Sequence, residues 1–207
     1  LKYVTAHHSD LKKPFSGHFP YYVLAEIEVT GEAVLPRALE LFESGVEQGW
    51  IDDGIQAQNP QQARDLWRLR EDISEATSPF SPYKNDVSVR IAKVPKFLTE
   101  MDVILKTNYP HFEVVWFGHI GDGNLHINIL KPKDMTNKTF LTECKKVDQL
   151  MFEMIEKLQG SVSAEHGVGL TKRPYLEHTR SPAEIQIMRD IKKVFDPDGL
   201  MNPGKLF

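Results

Sequence analysis

GHIGDGNLHIN, residues Gly118 to Asn128, decides how the chain is read. Asp122-Gly123 is a dipeptide that favours the two-residue type I′ turn of a β-hairpin. Apolar and polar residues alternate on both sides of it, as strands buried on one face require. With Asp122 and Gly123 at the centre of the turn, His119 falls directly opposite His126, their Cβ atoms roughly 4.5–5.5 Å apart. Asn128 shares the face of His126, while Ile120, Leu125, Ile127 and Ile129 point the other way, toward a core. An exposed hairpin has no need of two facing imidazoles. Two histidines so close suit a divalent metal, and a third ligand would complete a site with an open position.

That third ligand is sought outward along the chain. Ser161 to Ala164 reads as a short strand running into the glycine-rich loop Glu165-His166-Gly167-Val168-Gly169. Glu165 offers a hard oxygen ligand. Consecutive residues of an extended chain face different sides, so His166 is free for proton chemistry beside the metal. Without Glu165 and His166, a pair of surface hairpin histidines would be the simpler reading. Arg70 and Ser74, spaced i, i+4 on one helix face, and Lys84, just ahead of a strand, each read alone as solvated surface. Together with a metal, the forked donor of Arg70 suits a carboxylate substrate.

The rest of the chain supplies the frame. Tyr21 to Val29 is a β-branched and aromatic run typical of a strand, and Ile55 to Gln58 is a shorter candidate. Helical spacing covers Glu32 to Gln48, Gln61 to Ala76, Pro95 to Lys106, Asn137 to Leu158 and Pro182 to Phe195. Asp86 to Ala92, Phe112 to Gly118 and Leu125 to Leu130 read as strands. The expected fold class is α+β: an antiparallel sheet covered by helices on one face. Residues 1–19 show no sustained period and read as an N-terminal arm or linker, residues 20–195 as the domain, and residues 196–207 as a C-terminal tail.

Composition narrows the function classes. The 207 residues are 41% hydrophobic and 26% charged with a net charge of -4, an ordinary globular balance that argues against nucleic-acid binding. No apolar run is long enough to span a bilayer. The single cysteine, Cys144, cannot form an internal disulfide; its helical spacing with Leu141, Val147 and Met151 makes it a small core residue. A reducing compartment is the expectation, the cytoplasm or the mitochondrial matrix in a eukaryote.

Three motifs taken together resemble a known family. GHIGDGNLHIN, SAEHGVGLTK (Ser163 to Lys172) and DPDGLMNPGK (Asp196 to Lys205) look like the C-terminal part of FAD-linked oxidases of the vanillyl-alcohol-oxidase type. Within that family the pattern is most similar to the D-2-hydroxyglutarate and D-lactate dehydrogenases and the glycolate oxidase flavin subunit. WRLREDISEA (Trp67 to Ala76) followed by YKNDVS (Tyr83 to Ser88) adds to the likeness, which runs from about Tyr21 to Phe207. The resemblance implies a ferredoxin-like substrate domain covering an FAD bound by a separate domain. It implies metal ligation by His119, His126 and Glu165, with zinc first and manganese, iron or cobalt compatible. His166 takes the place of the residue that accepts the substrate hydroxyl proton. Arg70, Ser74, Lys84 and Asn128 fall at substrate-contacting positions, and Asn202 falls in a segment near the flavin. Ser74 departs from the threonine common in the family, which bears on the choice of substrate rather than on the chemistry.

The implied partners are a small 2-hydroxy acid and an FAD-binding domain on the same or a separate chain, with a homodimer among the compatible assemblies. The sequence has no GxGxxG after a strand and no P-loop. That, with a first residue other than methionine, leads to the expectation of a fragment that is colourless and inactive alone. Two alternatives stay open at this level: a stand-alone metal-dependent hydrolase, and a non-catalytic module that binds a flavin subunit.

Overall fold

The computed structural model describes all residues 1–207. The chain divides into two compact units, residues 1–79 and 80–207. The first carries four helices: α1 (Lys2–His7), α2 (Val34–Glu47), α3 (Pro60–Glu71) and α4 (Ile73–Thr77). Its small core joins Val4 and Leu11 to Leu69 and Ala76. Residues 2–7, read from sequence within an aperiodic arm, thus supply a buried valine to the main helices. Asn59 caps α3, its side chain accepting the Gln62 N–H at 3.0 Å, and Pro60 occupies the first turn, where a missing N–H costs nothing.

The single helix expected over Gln61 to Ala76 is interrupted at Asp72 (φ -78, ψ 5). Its carboxylate pairs with His8 at 3.1 Å and Arg68 at 3.5 Å. The backbone bonds Asp72 N–H to Arg68 O and Ala76 N–H to Asp72 O persist, so α4 continues α3 after a slight unwinding. The strands expected at Tyr21 to Val29 and Ile55 to Gln58 are not formed. β-propensity stabilises a strand only where an edge is there to pair with, and these residues bond to no ladder.

The second unit is the expected antiparallel α+β arrangement. Its three strands, β1 (Tyr83–Ser88), β2 (Val114–His119) and β3 (Asn124–Ile129), lie in the order β1-β3-β2 with β3 central. Helices α5 (Val94–Asn108) and α6 (Asn137–Lys157) cover one face, placing Phe97, Met101, Phe140, Met151, Phe152 and Ile155 against Val87, Leu125, Ile127 and Ile129. The chain ends through α7 (Gly169–Lys172), a 3-10 turn at Arg173–His178, and α8 (Pro182–Phe195). Ser181 and Glu184 close a reciprocal capping box at the start of α8. Cys144 is fully buried in this core, and burial pushes its thiol up to about 12, so it remains a protonated hydrophobe. No helix is long and apolar enough to cross a membrane.

The hairpin differs from its expected register. His119 pairs with Asn124 and Phe117 with His126, closing a four-residue loop over Ile120–Gly123. Asp122 Oδ1 accepts the Asn124 N–H at 2.9 Å, an Asx turn. Gly123, at φ +74, turns its carbonyl to the Val89 N–H at 3.1 Å instead of closing the hairpin. The pairing has slipped by two residues. A slip of one inverts every face, whereas a slip of two preserves them, so His119, His126 and Asn128 still share one side. Ile120, assigned to the core face from sequence, is instead exposed in the loop.

Candidate functional site

The face of the sheet not covered by α5 and α6 is polar. Strand alternation brings Lys84, Asp86 and Ser88 of β1 level with Asn128, His126 and Asn124 of β3. Val115, Phe117 and His119 of β2 complete the same three rows. In the middle row Phe117 stacks on the His126 ring, with centroids 4.7 Å apart and planes at 22°. His126 is 12% exposed in its side chain, and its Nδ1 lies 3.5 Å from Asp86 Oδ1.

The Ser163–Gly169 loop is fastened above this row. A β-bridge joins Ser88 to Ser161 through two backbone bonds of 3.0 and 2.8 Å. One turn later Asp86 Oδ2 accepts three successive N–H groups, from Ala164 at 3.2 Å, Glu165 at 3.0 Å and His166 at 3.2 Å. The loop so held directs Glu165 to His119, with Oε1 3.2 Å from Nδ1. His166 Nδ1 comes to 3.8 Å from Asp86 Oδ2, and its ring centroid is 5.8 Å from that of His126.

Of the residues expected to bind metal, His119 and Glu165 are therefore in direct contact, joined within ligand range by Asp122. His126 groups instead with Asp86 and His166. Asn128 is 1% exposed on the same face, beside an exposed Lys84. Arg70 and Ser74 belong to α3 and α4 of the first unit. Asn202 sits at φ +47 in the tail, whose turn is fixed by Asp196 accepting the Leu200 and Met201 N–H groups and by Arg173 donating to Gly204 O at 3.0 Å.

Sequence reasoning missed Asp86, Asn124 and Lys172. Asp86 begins what reads as an ordinary alternating strand; only its pairing with His126 reveals it. Asn124 lies beside the turn in sequence, yet it is 2% exposed, and both polar atoms of its side chain are buried without a partner. Asp86 Oδ1 and Asn128 Nδ2 are likewise orphaned. Unsatisfied buried polar atoms are costly, and four on one face mark a place that fits a polar ligand. The nitrogen and oxygen donors beside them suit a borderline divalent ion.

The opposite face holds Lys172. Its Nζ donates to Asn85 Oδ1 at 2.8 Å and stands 4.6 Å over the Phe152 ring. Burial lowers its ammonium to about 8, against the opposing pull of Asp148 and Asp86. Burial raises the Asp148 carboxyl, opposed first by the Tyr83 hydroxyl that donates to it at 2.5 Å. The segment carrying Glu165 and His166 is thus tied on one side to Asp86 and, six residues on, to the core through Lys172.

Comparison with known proteins gives a match over residues 2–206 to the family described as FAD linked oxidases, C-terminal domain. A D-2-hydroxyglutarate dehydrogenase of Stutzerimonas stutzeri is 56% identical over 198 residues, covering 96% of this chain and 43% of that protein. One from Xanthomonas citri pv. viticola is 51% identical over 207 residues, covering 100% and 43%. The mitochondrial D-2-hydroxyglutarate dehydrogenase of Bos taurus is 34% identical over 190 residues, covering 90% and 34%. The chain spans less than half the length of these relatives.

Proposed function

Because the chain belongs to the FAD linked oxidases, C-terminal domain family, we propose that it is the substrate- and metal-binding part of an FAD-dependent D-2-hydroxy acid dehydrogenase. The reaction would convert a 2-hydroxy acid to a 2-oxo acid. D-2-hydroxyglutarate is the first substrate to test, since the Stutzerimonas stutzeri and Xanthomonas citri relatives are named for it. In this reading the flavin is bound by a domain outside these 207 residues, and Asn202 approaches it.

The observation that carries the proposal is the pairing of His119 with Glu165 and of His126 with His166 over one polar sheet face lined by orphaned polar atoms. His119, His126 and Glu165 would hold a divalent ion, zinc first. When bound, such an ion lowers the pKa of a hydroxyl group, and FAD accepts a hydride. The chain's own groups do the rest. Asn128 and Lys84, neighbours across β1 and β3, offer an amide and an ammonium to substrate carboxylate. Arg70 and Ser74 offer a forked cation and a hydroxyl. His166, with Nδ1 toward Asp86, would take the hydroxyl proton at Nε2.

The test uses the full-length flavoprotein. His126→Ala should abolish both bound metal and dye reduction with D-2-hydroxyglutarate while leaving the flavin spectrum intact. A variant that is free of metal yet fully active would sink the reading.

A further inference from the structure

Asp86 divides its two oxygens between different tasks. A buried carboxylate is tolerated only when hydrogen bonds replace its lost water. Oδ2 meets that condition three times over, with the N–H groups of Ala164, Glu165 and His166. Oδ1 does not meet it at all: it is buried and unbonded in a residue 5% exposed, and His126 Nδ1 stands 3.5 Å from it. Phe117, stacked on the His126 ring, limits the planes that ring can adopt. A closing of a few tenths of an ångström turns the approach into a hydrogen bond, as ligand binding commonly does for such contacts.

We propose that Asp86 is a positioning residue for the site: Oδ2 clamps the loop bearing Glu165 and His166, and Oδ1 holds the proton of His126 on Nδ1. In that tautomer Nε2 of His126 carries the lone pair that a metal ion would take. A ligating imidazole almost always donates its other N–H to a carboxylate or carbonyl, which fixes its tautomer and raises its basicity. One side chain would then align three members of the site, His126 with Glu165 and His166, which follow it by 39 and 40 residues in sequence. The inference rests on the metal reading above.

Asp86→Asn separates the two tasks. The asparagine oxygen still accepts the three backbone N–H groups, but its NH2 group can only donate toward His126 Nδ1. That forces the tautomer with hydrogen on Nε2, which cannot bind metal. In the intact protein, zinc affinity measured by competition with a chromophoric chelator should fall about 10–100-fold in Asp86→Asn. Hydrogen exchange at the Ala164, Glu165 and His166 amides should stay at the wild-type level. Asp86→Ala should lose both. Zinc binding by Asp86→Asn equal to wild type would overturn the inference while leaving the metal reading standing. Wild-type protein that binds no zinc would overturn the metal reading instead, and with it the role given to Oδ1. A measurement needing no variant guards against misfolding: imidazole nitrogen NMR of the metal-free wild type, at a pH where His126 is neutral. It should show hydrogen on Nδ1, and the opposite tautomer would refute the assignment.

Discussion

Replacing Lys172 with methionine should erase a pH dependence of stability that the wild type shows on the alkaline side. Lys172 is 8% exposed, and its ammonium titrates at about 8 in the fold against 10.5 when unperturbed. Between those values the unfolded chain binds more protons than the folded one, so stability rises with pH across the window. The contribution is complete above the unfolded value and is lost as pH falls to the folded value. At 1.36 kcal/mol per pH unit, the gap of about 2.5 units corresponds to about 3 kcal/mol. Methionine keeps the contact with Phe152 and carries no proton. Urea unfolding of both proteins at steps across that window should show the wild type gaining about 3 kcal/mol relative to Lys172→Met. Tyr83 and Tyr109, both raised by burial, oppose this in the most alkaline samples, but they do so in both proteins and drop out of the difference. A difference that stays flat from end to end, or that moves against the wild type, would refute the assignment of a desolvated cation to this position.

Two further outcomes test the loops. Gly123→Ala should cost about 2–3 kcal/mol, from left-handed backbone strain and the displaced bond to Val89. A Cβ there would lie 1.9 Å from Val89 O, whereas at Gly121 it would meet nothing within 4 Å, so Gly121→Ala serves as the control in the same denaturation assay. Asp196 is held below the ordinary carboxylate range, first by its pairing with Lys192 and then by the Met201 and Leu200 N–H groups. Its contribution is therefore present at neutral pH and is lost as pH falls through the depressed folded value. Thermal unfolding in acid should show a loss in wild type that Asp196→Asn lacks, and superimposable profiles would count against it.

The parts of this molecule that were legible in its sequence are those fixed by local period. The spacing of Cys144, Val147 and Met151 announces α6, although Leu141, grouped with them, is exposed and Phe140 is buried in its stead, and the helix expected over Pro182 to Phe195 is α8 with the same bounds. The strand read at Leu125 to Leu130 is β3, Asn124–Ile129, and its alternation gives both faces as the fold has them. The hairpin register was not legible, because it is decided by a bond between Gly123 and Val89, 34 residues apart. For the same reason Asp86 escaped notice: nothing near it in sequence says that three loop amides, 78 to 80 residues later, will converge on it. Tyr21 to Val29 fails in the opposite sense, since a strong local preference found no neighbouring strand to satisfy it.

The central position of β3 imposes an order on how the site can loosen. His126 rides on a strand hydrogen-bonded on both sides, whereas His119 ends a strand bonded on one side only and Glu165 stands on a loop. Local openings begin at such margins, with little free energy, and reach doubly flanked strands last. Any occupant held jointly by these groups would accordingly be released unevenly, let go from the rim while the middle of the sheet keeps its grip. Exchange of that occupant becomes a hinged, one-sided event on the timescale of loop fraying, and it proceeds without the fold coming apart.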